Sequence, residues 1–180
     1  MAPGRASVEN GCEVSPMTYD IRIEKRSEQP AAVIRGRVSL DEIGEFLGTA
    51  FAEVGAELAA QRLAPVGPPF GQYRPQDGGF DIAAGFSTSG GLTPAGRVEP
   101  MVLPGGSLAT TTHVGPYSEV SAAYEAVIEW LTSSGLVPAG DPWECYLDGP
   151  EVAEPRTVVY FPCREMRVGS DRPTRTDRTA

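Results

Sequence analysis

Histidine is nearly absent from this chain: His113 is the only one in 180 residues. A single imidazole cannot build a His-rich zinc site or an HExxH helix, which need several ligands converging on one metal. Cysteine is almost as scarce. Cys12, Cys145 and Cys163 are an odd number at wide spacing, with no CxxC pair and no disulfide framework. A reducing cytoplasm is the expected setting. No stretch approaches the roughly 20 apolar residues of a membrane helix. The first residues lack the apolar core of a signal peptide. The GxSxG elbow, the P-loop and the dinucleotide fingerprint are missing as well, which argues against the enzymes built on them. Neither a metal nor a cofactor is expected.

Positive charge is also short. The formal net charge is -9. So acidic a chain is a poor candidate for direct contact with nucleic acid or an anionic membrane. It suits a cationic ligand or a basic protein partner, and it also suits plain solubility. Apolar residues make up 41% of the chain, ordinary for a globular protein, and 21 glycines and 17 prolines break it into short elements.

Composition marks residues 1–16 and 164–180 as unstructured segments, leaving residues 17–163 as the folded part. Tyr19 to Glu24 alternates as a strand, and Pro30 to Val38 reads as a second. Ser39-Leu40-Asp41-Glu42 is a capping-box pattern. It opens a helix to about Gln61, with Leu40, Ile43, Leu47, Phe51, Val54 and Leu58 at helical spacing. Gly67-Pro68-Pro69 reads as a turn before a short strand, Phe70 to Tyr73. Another strand, Phe80 to Phe86, closes the first half at about residue 90. The second half follows the same plan: strands Val98 to Leu103 and Leu108 to Val114, a helix from Ser118 to Ser133 stopped by Gly135, then strands Trp143 to Leu147 and Thr157 to Phe161.

The repeat is visible residue by residue. Leu63-Ala64-Pro65-Val66-Gly67-Pro68-Pro69-Phe70-Gly71-Gln72-Tyr73 aligns with Leu136-Val137-Pro138-Ala139-Gly140-Asp141-Pro142-Trp143-Glu144-Cys145-Tyr146 without a gap. Upstream, Ala32 matches Ala109 if the first helix is about one turn longer. Matching element order on both sides points to duplication. In the second copy, strand alternation puts Glu144 and Tyr146 on one face, and Trp143, Cys145 and Leu147 on the other. The apolar set fits a helix-packed core, with Cys145 as an inert apolar residue. The matching polar face of the first copy carries Gly71 and Tyr73, leaving room opposite the carboxylate. From spacing alone Glu144 is an ordinary exposed strand residue, and His113, alone near a strand end, is structural.

Leu103-Pro104-Gly105-Gly106, Ala109, His113-Val114-Gly115-Pro116-Tyr117, Tyr124, Trp130, Gly135-Leu136 and Glu144-Cys145-Tyr146-Leu147 together resemble the GyrI-like family, the effector-binding domain also fused to AraC-type and MerR-type regulators. The resemblance spans about Met17 to Cys163. It implies an α+β fold of tandem β-α-β-β modules, with a curved antiparallel sheet, helices on one side and a ligand groove between the halves. It implies Glu144 as the acidic ligand contact, with Tyr146, Tyr73, Tyr117, Phe86, Tyr160 and His113 as candidate ligand-binding neighbours. The function implied is capture of a hydrophobic, cationic or planar compound by the carboxylate and aromatic faces. Two alternatives stand beside it. Some free-standing members similar in layout hydrolyse cyclopropane-bearing DNA alkylators, which would make Glu144 a general acid or base and Tyr146 its helper. An acidic member could also inhibit a DNA-handling enzyme such as gyrase.

Overall fold

The computed structural model describes residues 19–166. The segments 1–16 and 167–180, expected to be unstructured, lie outside the described residues. Arg164 and Glu165, assigned by composition to the tail, instead end a strand. Along the chain the elements are β1 (Arg22–Arg26), β2 (Gln29–Val38), α1 (Ile43–Ala60), β3 (Pro65–Gln76), β4 (Gly79–Thr88), β5 (Glu99–Leu103), β6 (Gly106–Val114), α2 (Ser121–Ser133), β7 (Leu136–Pro138), β8 (Trp143–Tyr146) and β9 (Arg156–Glu165). One antiparallel sheet runs β1-β6-β9-β8-β3-β4-β2-β5, with short β7 added to β9.

The first half contributes two strands, a helix and two strands, and the second two strands, a helix and three strands, so in each half one strand precedes the expected β-α-β-β unit. That extra strand crosses to the other half. β1 pairs with β6, from Arg22 opposite Thr110 to Arg26 opposite Gly106; β2 continues against β5 in unbroken register, from Gln29 opposite Leu103 to Val33 opposite Glu99. The two pairings form one long ribbon that bends at Ser27-Glu28 and Pro104-Gly105. The bend explains the Leu-Pro-Gly-Gly motif. A Cβ on Gly105 would lie 2.6 Å from the Glu28 amide nitrogen and 2.9 Å from the Arg26 carbonyl oxygen, and Gly106 sits at φ +105°.

Both helices are amphipathic and bury residues four apart. α1 buries Ala50, Val54 and Leu58; α2 buries Ala123, Val127 and Leu131. Leu40, which the periodicity puts at the head of the first stripe, is 73% exposed, because it lies in a 3-10 turn ahead of α1. The Ser39 amide donates to Glu42 Oε2 at 3.0 Å and fixes that turn. Gly135, at φ +68°, follows the end of α2. Residues 67–69 are not a turn. β3 runs through them with a register shift between Pro65 and Pro69, because proline has no amide to give the ladder.

Three apolar clusters result. α1 packs on Ala32, Ile34, Ile82 and Ala84, and α2 packs on Ala109, Val159 and Phe161. The third cluster, with Phe70, Leu108, Trp143 and Tyr160, lies on the face without helices, yet its members are buried. Curling of the sheet covers it, so the sheet is a half-barrel with its helices outside.

Candidate functional site

β3 and β8 lie side by side at the centre of the sheet, and Gly71 is the register partner of Glu144. These are the two residues that the internal repeat aligns. They therefore straddle the pseudo-twofold relation between the halves, and Tyr73 and Tyr146 are related in the same way. Strand alternation separates Glu144 and Tyr146 from Trp143 and Cys145 as expected, but the helices cover the opposite face from the one expected. Glu144 and Tyr146 point toward the helices. Trp143 and Cys145 point into the hollow of the half-barrel.

Glu144 is 8% exposed. Tyr124 Oη, from α2, donates to its Oε1 at 2.8 Å, and Tyr146 Oη donates to its Oε2 at 3.0 Å. Tyr73 Oη lies 2.5 Å from Tyr146 Oη. The Tyr146 proton is committed to the carboxylate, so Tyr73 is the donor in that contact. The room that Gly71 leaves opposite the carboxylate is thus taken by the two tyrosine hydroxyls. Burial pushes the Glu144 carboxyl above its ordinary value, and the Tyr124 and Tyr146 hydrogen bonds pull it partway back. Burial, and then the nearby carboxylate, push the hydroxyls of Tyr73, Tyr124 and Tyr146 up as well, so all three remain protonated donors. Among the described residues Glu144 has no basic partner.

The other candidate residues divide. Tyr117 stands edge-on to Tyr146, ring centroids 5.7 Å apart, and its hydroxyl donates to the Asp148 carbonyl at 2.6 Å. Phe86 lies on the helix side of β4 and meets Phe51 of α1 at 5.8 Å; Phe51 also meets Tyr146 at 6.0 Å. The structure does not bring Tyr160 to this cluster. It is the register partner of Trp143 and stacks on it inside the hollow, on the other side of the sheet from Glu144. His113 is fully buried, hydrogen-bonded to Tyr19 Oη at 2.9 Å and the Pro116 carbonyl at 3.1 Å, which gives it a structural role at the β6 end. Cys145 faces the hollow, and burial raises its thiol to about 12, so it is not a thiolate nucleophile at neutral pH.

Sequence reasoning missed two contributors, Tyr124 and Phe51. Both sit in the apolar stripes of their helices and read as core. The signal available for Tyr124 was its phenol: a buried hydroxyl needs a partner. Among the described residues no group of three or more His, Cys, Asp or Glu is placed to hold a metal. No helix there is long and apolar enough to cross a membrane.

The sequence profile of the GyrI-like small molecule binding domain matches residues 19–164. The chain belongs to this family. Solved structures similar to this GyrI-like domain include the C-terminal domain of EcmrR, with 20% identity over 83% of this chain and 100% of that one, TM-score 0.73. The domain spans only 59% of the longer EcmrR chain seen in a DNA complex. A hydrolase from Listeria innocua shares 13% identity over 80% of this chain and 91% of its own, TM-score 0.60. SAV2435 bound to tetraphenylphosphonium shares 15% over 82% and 94%, TM-score 0.59. At these identities the likeness is one of fold. A comparison with curated protein sequences finds no match.

Proposed function

We propose that the GyrI-like domain binds a hydrophobic organic cation at Glu144, between α1 and α2. The observation that carries this reading is a nearly buried carboxylate that, among the described residues, is hydrogen-bonded only by phenols and has no lysine, arginine or histidine opposite it. A buried charge without a counter-ion is costly, and a ligand that brings a delocalised positive charge offsets that cost. Phe51, Phe86, Tyr117 and Tyr146 supply aromatic faces on the approach, which adds dispersion and cation–π attraction. Tetraphenylphosphonium, found on the relative SAV2435, has this chemistry. The site is closed by ring-to-ring contacts, so binding requires Phe51 and Tyr146 to part.

Calorimetric titration with tetraphenylphosphonium tests the reading, with neutral triphenylphosphine oxide as control. The cation is expected to bind, the oxide to bind weakly, and Glu144→Gln to lose about thirtyfold or more in affinity, the scale for removing one partner of a buried charge pair. Equal binding by wild type and Glu144→Gln would refute it.

A second reading has its own support. A carboxyl raised by burial beside a protonated phenol suits general acid–base work on a strained electrophile. Tyr146, whose hydroxyl donates to Glu144 at 3.0 Å, is the phenol that would turn to a developing oxygen anion. Incubation with a cyclopropane-bearing alkylator, followed by mass analysis for the water adduct, separates the two. Hydrolysis at this site requires the adduct to form with wild type and not with Glu144→Gln.

A further inference from the structure

The hollow of the half-barrel holds two cavities, of about 310 and 430 Å³. The internal repeat relates them. Asp141, Gln72 and Arg74 line the smaller, and the residues aligned with them, Pro68, Cys145 and Leu147, line the larger. The two copies have diverged in character. In the smaller cavity Arg74 pairs with Asp141 at 2.6 Å, and Gln72 approaches the Asp141 carbonyl, so the polar groups satisfy one another. In the larger one the equivalent positions are apolar and open. Leu147 is 42% exposed and Val66, on the bulged stretch of β3, is 54% exposed. The floor is Leu108 with the Trp143–Tyr160 stack, ring centroids 5.3 Å apart.

The larger cavity has one charged side chain in its wall. Arg26 lies with its guanidinium carbon 4.6 Å from the Tyr160 ring centroid. Its Nε donates to Glu24 Oε2 at 3.0 Å in an ion pair, and the guanidinium also approaches the Tyr160 hydroxyl; Glu24 pairs with Arg22 as well, so the cluster of two arginines and one glutamate keeps a net positive charge. A guanidinium over an aromatic ring, with one of its five N–H donors committed to Glu24, has donors left for an oxyanion. The volume lies within the range of small-molecule sites.

We propose that this cavity is a second ligand site, for a small amphipathic organic anion: a carboxylate or sulfonate on an aromatic or aliphatic body. The body fills the space between Val66, Leu147 and the Trp143–Tyr160 floor, and the anionic head meets Arg26. Strand alternation places it across the sheet from Glu144, so occupancy here neither needs nor touches the carboxylate site. With a net charge of -9 the protein repels anions generally, so an anion that binds is held by local groups.

The test is fluorescence titration with 1-anilinonaphthalene-8-sulfonate, its neutral analogue N-phenyl-1-naphthylamine, and decanoate as competitor. The sulfonate is expected to bind one to one, more tightly than the neutral analogue, and to be displaced by decanoate. Arg26→Gln is expected to weaken it about tenfold or more. Leu147→Asp, at an exposed position, is expected to do the same by opposing the anion and wetting the wall. Glu144→Gln is expected to leave it unchanged. Four results would overturn the proposal: no binding at millimolar probe, equal binding of the neutral analogue, affinity unaltered in both Arg26→Gln and Leu147→Asp, or loss in Glu144→Gln. Should Arg26→Gln melt early, Leu147→Asp with an unchanged melting temperature decides the matter alone.

Discussion

Replacing Gly71 by alanine tests the geometry of the centre directly. Glycine in a strand interior is ordinarily a weakness, and alanine there should stabilise by about 0.5–1 kcal/mol. At position 71 the added methyl would sit 3.1 Å from Tyr73 Cε2 and Oη and 3.2 Å from Tyr146 Oη. Ordinary contacts are a few tenths of an ångström longer, so both hydroxyls must withdraw. Neither has free space. Tyr73 is 8% exposed, and Tyr146 is hemmed in by Phe51, Tyr117 and Glu144. Overpacking of this kind costs about 1–3 kcal/mol, and the strained Tyr73–Tyr146 hydrogen bond forfeits about 0.5–1.5 kcal/mol.

The net expectation for Gly71→Ala is therefore a loss of about 1–3 kcal/mol, or a melting temperature lower by roughly 2–12 °C for a domain of this size. Urea and thermal unfolding of Gly71→Ala, Tyr73→Phe and the double variant would measure it. Tyr73→Phe removes an oxygen that the methyl meets, so the double variant should be less destabilised than the sum of the singles by at least about 0.5 kcal/mol. A Gly71→Ala protein that melts at or above wild type, with no coupling to position 73, would show that Gly71 makes no room for the hydroxyls.

Two further outcomes follow from the same centre. The Glu144 carboxyl titrates higher in the fold than in the unfolded chain, so its contribution is most favourable below about pH 4.5 and is lost as pH rises through its folded value; the stability of Glu144→Gln relative to wild type, followed by urea unfolding, should rise across that window and then level off, and a difference flat from pH 4 to 8 would contradict it. Tyr124→Phe removes a donor that favours the charged carboxylate, so the pH midpoint of tetraphenylphosphonium binding should move upward, by about 1.4 kcal/mol of binding free energy per pH unit; an unmoved midpoint would mean that Tyr124 does not set the charge of Glu144.

Much of this was legible in the sequence for identifiable reasons. The gapless match of residues 63–73 with 136–146 located the two central strands, because duplication preserves proline and glycine spacing. The 3.6-residue periodicity located both helices. Alternation correctly divided Glu144 and Tyr146 from Trp143 and Cys145. It could not say which face the helices cover, because in a curled sheet both faces are buried, one by helices and one by the sheet itself. An apolar set such as Trp143 and Cys145 fits either. Tyr160 was misplaced for the same reason: its register with Trp143, which fixes its face, is a long-range pairing with no local signature. The ribbon exchange between halves was equally hidden, since Leu-Pro-Gly-Gly reads locally as a turn and only the pairing of Arg26 with Gly106 reveals a crossing.

The duplication also accounts for the single carboxylate. On a pseudo-twofold position two equivalent residues become register partners, so a symmetric pair of glutamates at 71 and 144 would face each other across β3 and β8. Buried like charges at that distance cannot both remain ionised. A symmetric pair of glycines would leave nothing for a ligand to meet. Glycine on one strand and glutamate on the other resolves the conflict: the missing Cβ lets the Tyr73 hydroxyl reach that of its symmetry mate Tyr146, which in turn donates to the one carboxylate. The chemistry of the centre thus depends on the halves having diverged at one position while Tyr73 and Tyr146 stayed alike. The larger hollow-side cavity shows the same logic, since the change from Gln72, Arg74 and Asp141 around one cavity to the aligned Cys145, Leu147 and Pro68 around the other turns a self-satisfied polar surface into an open apolar one.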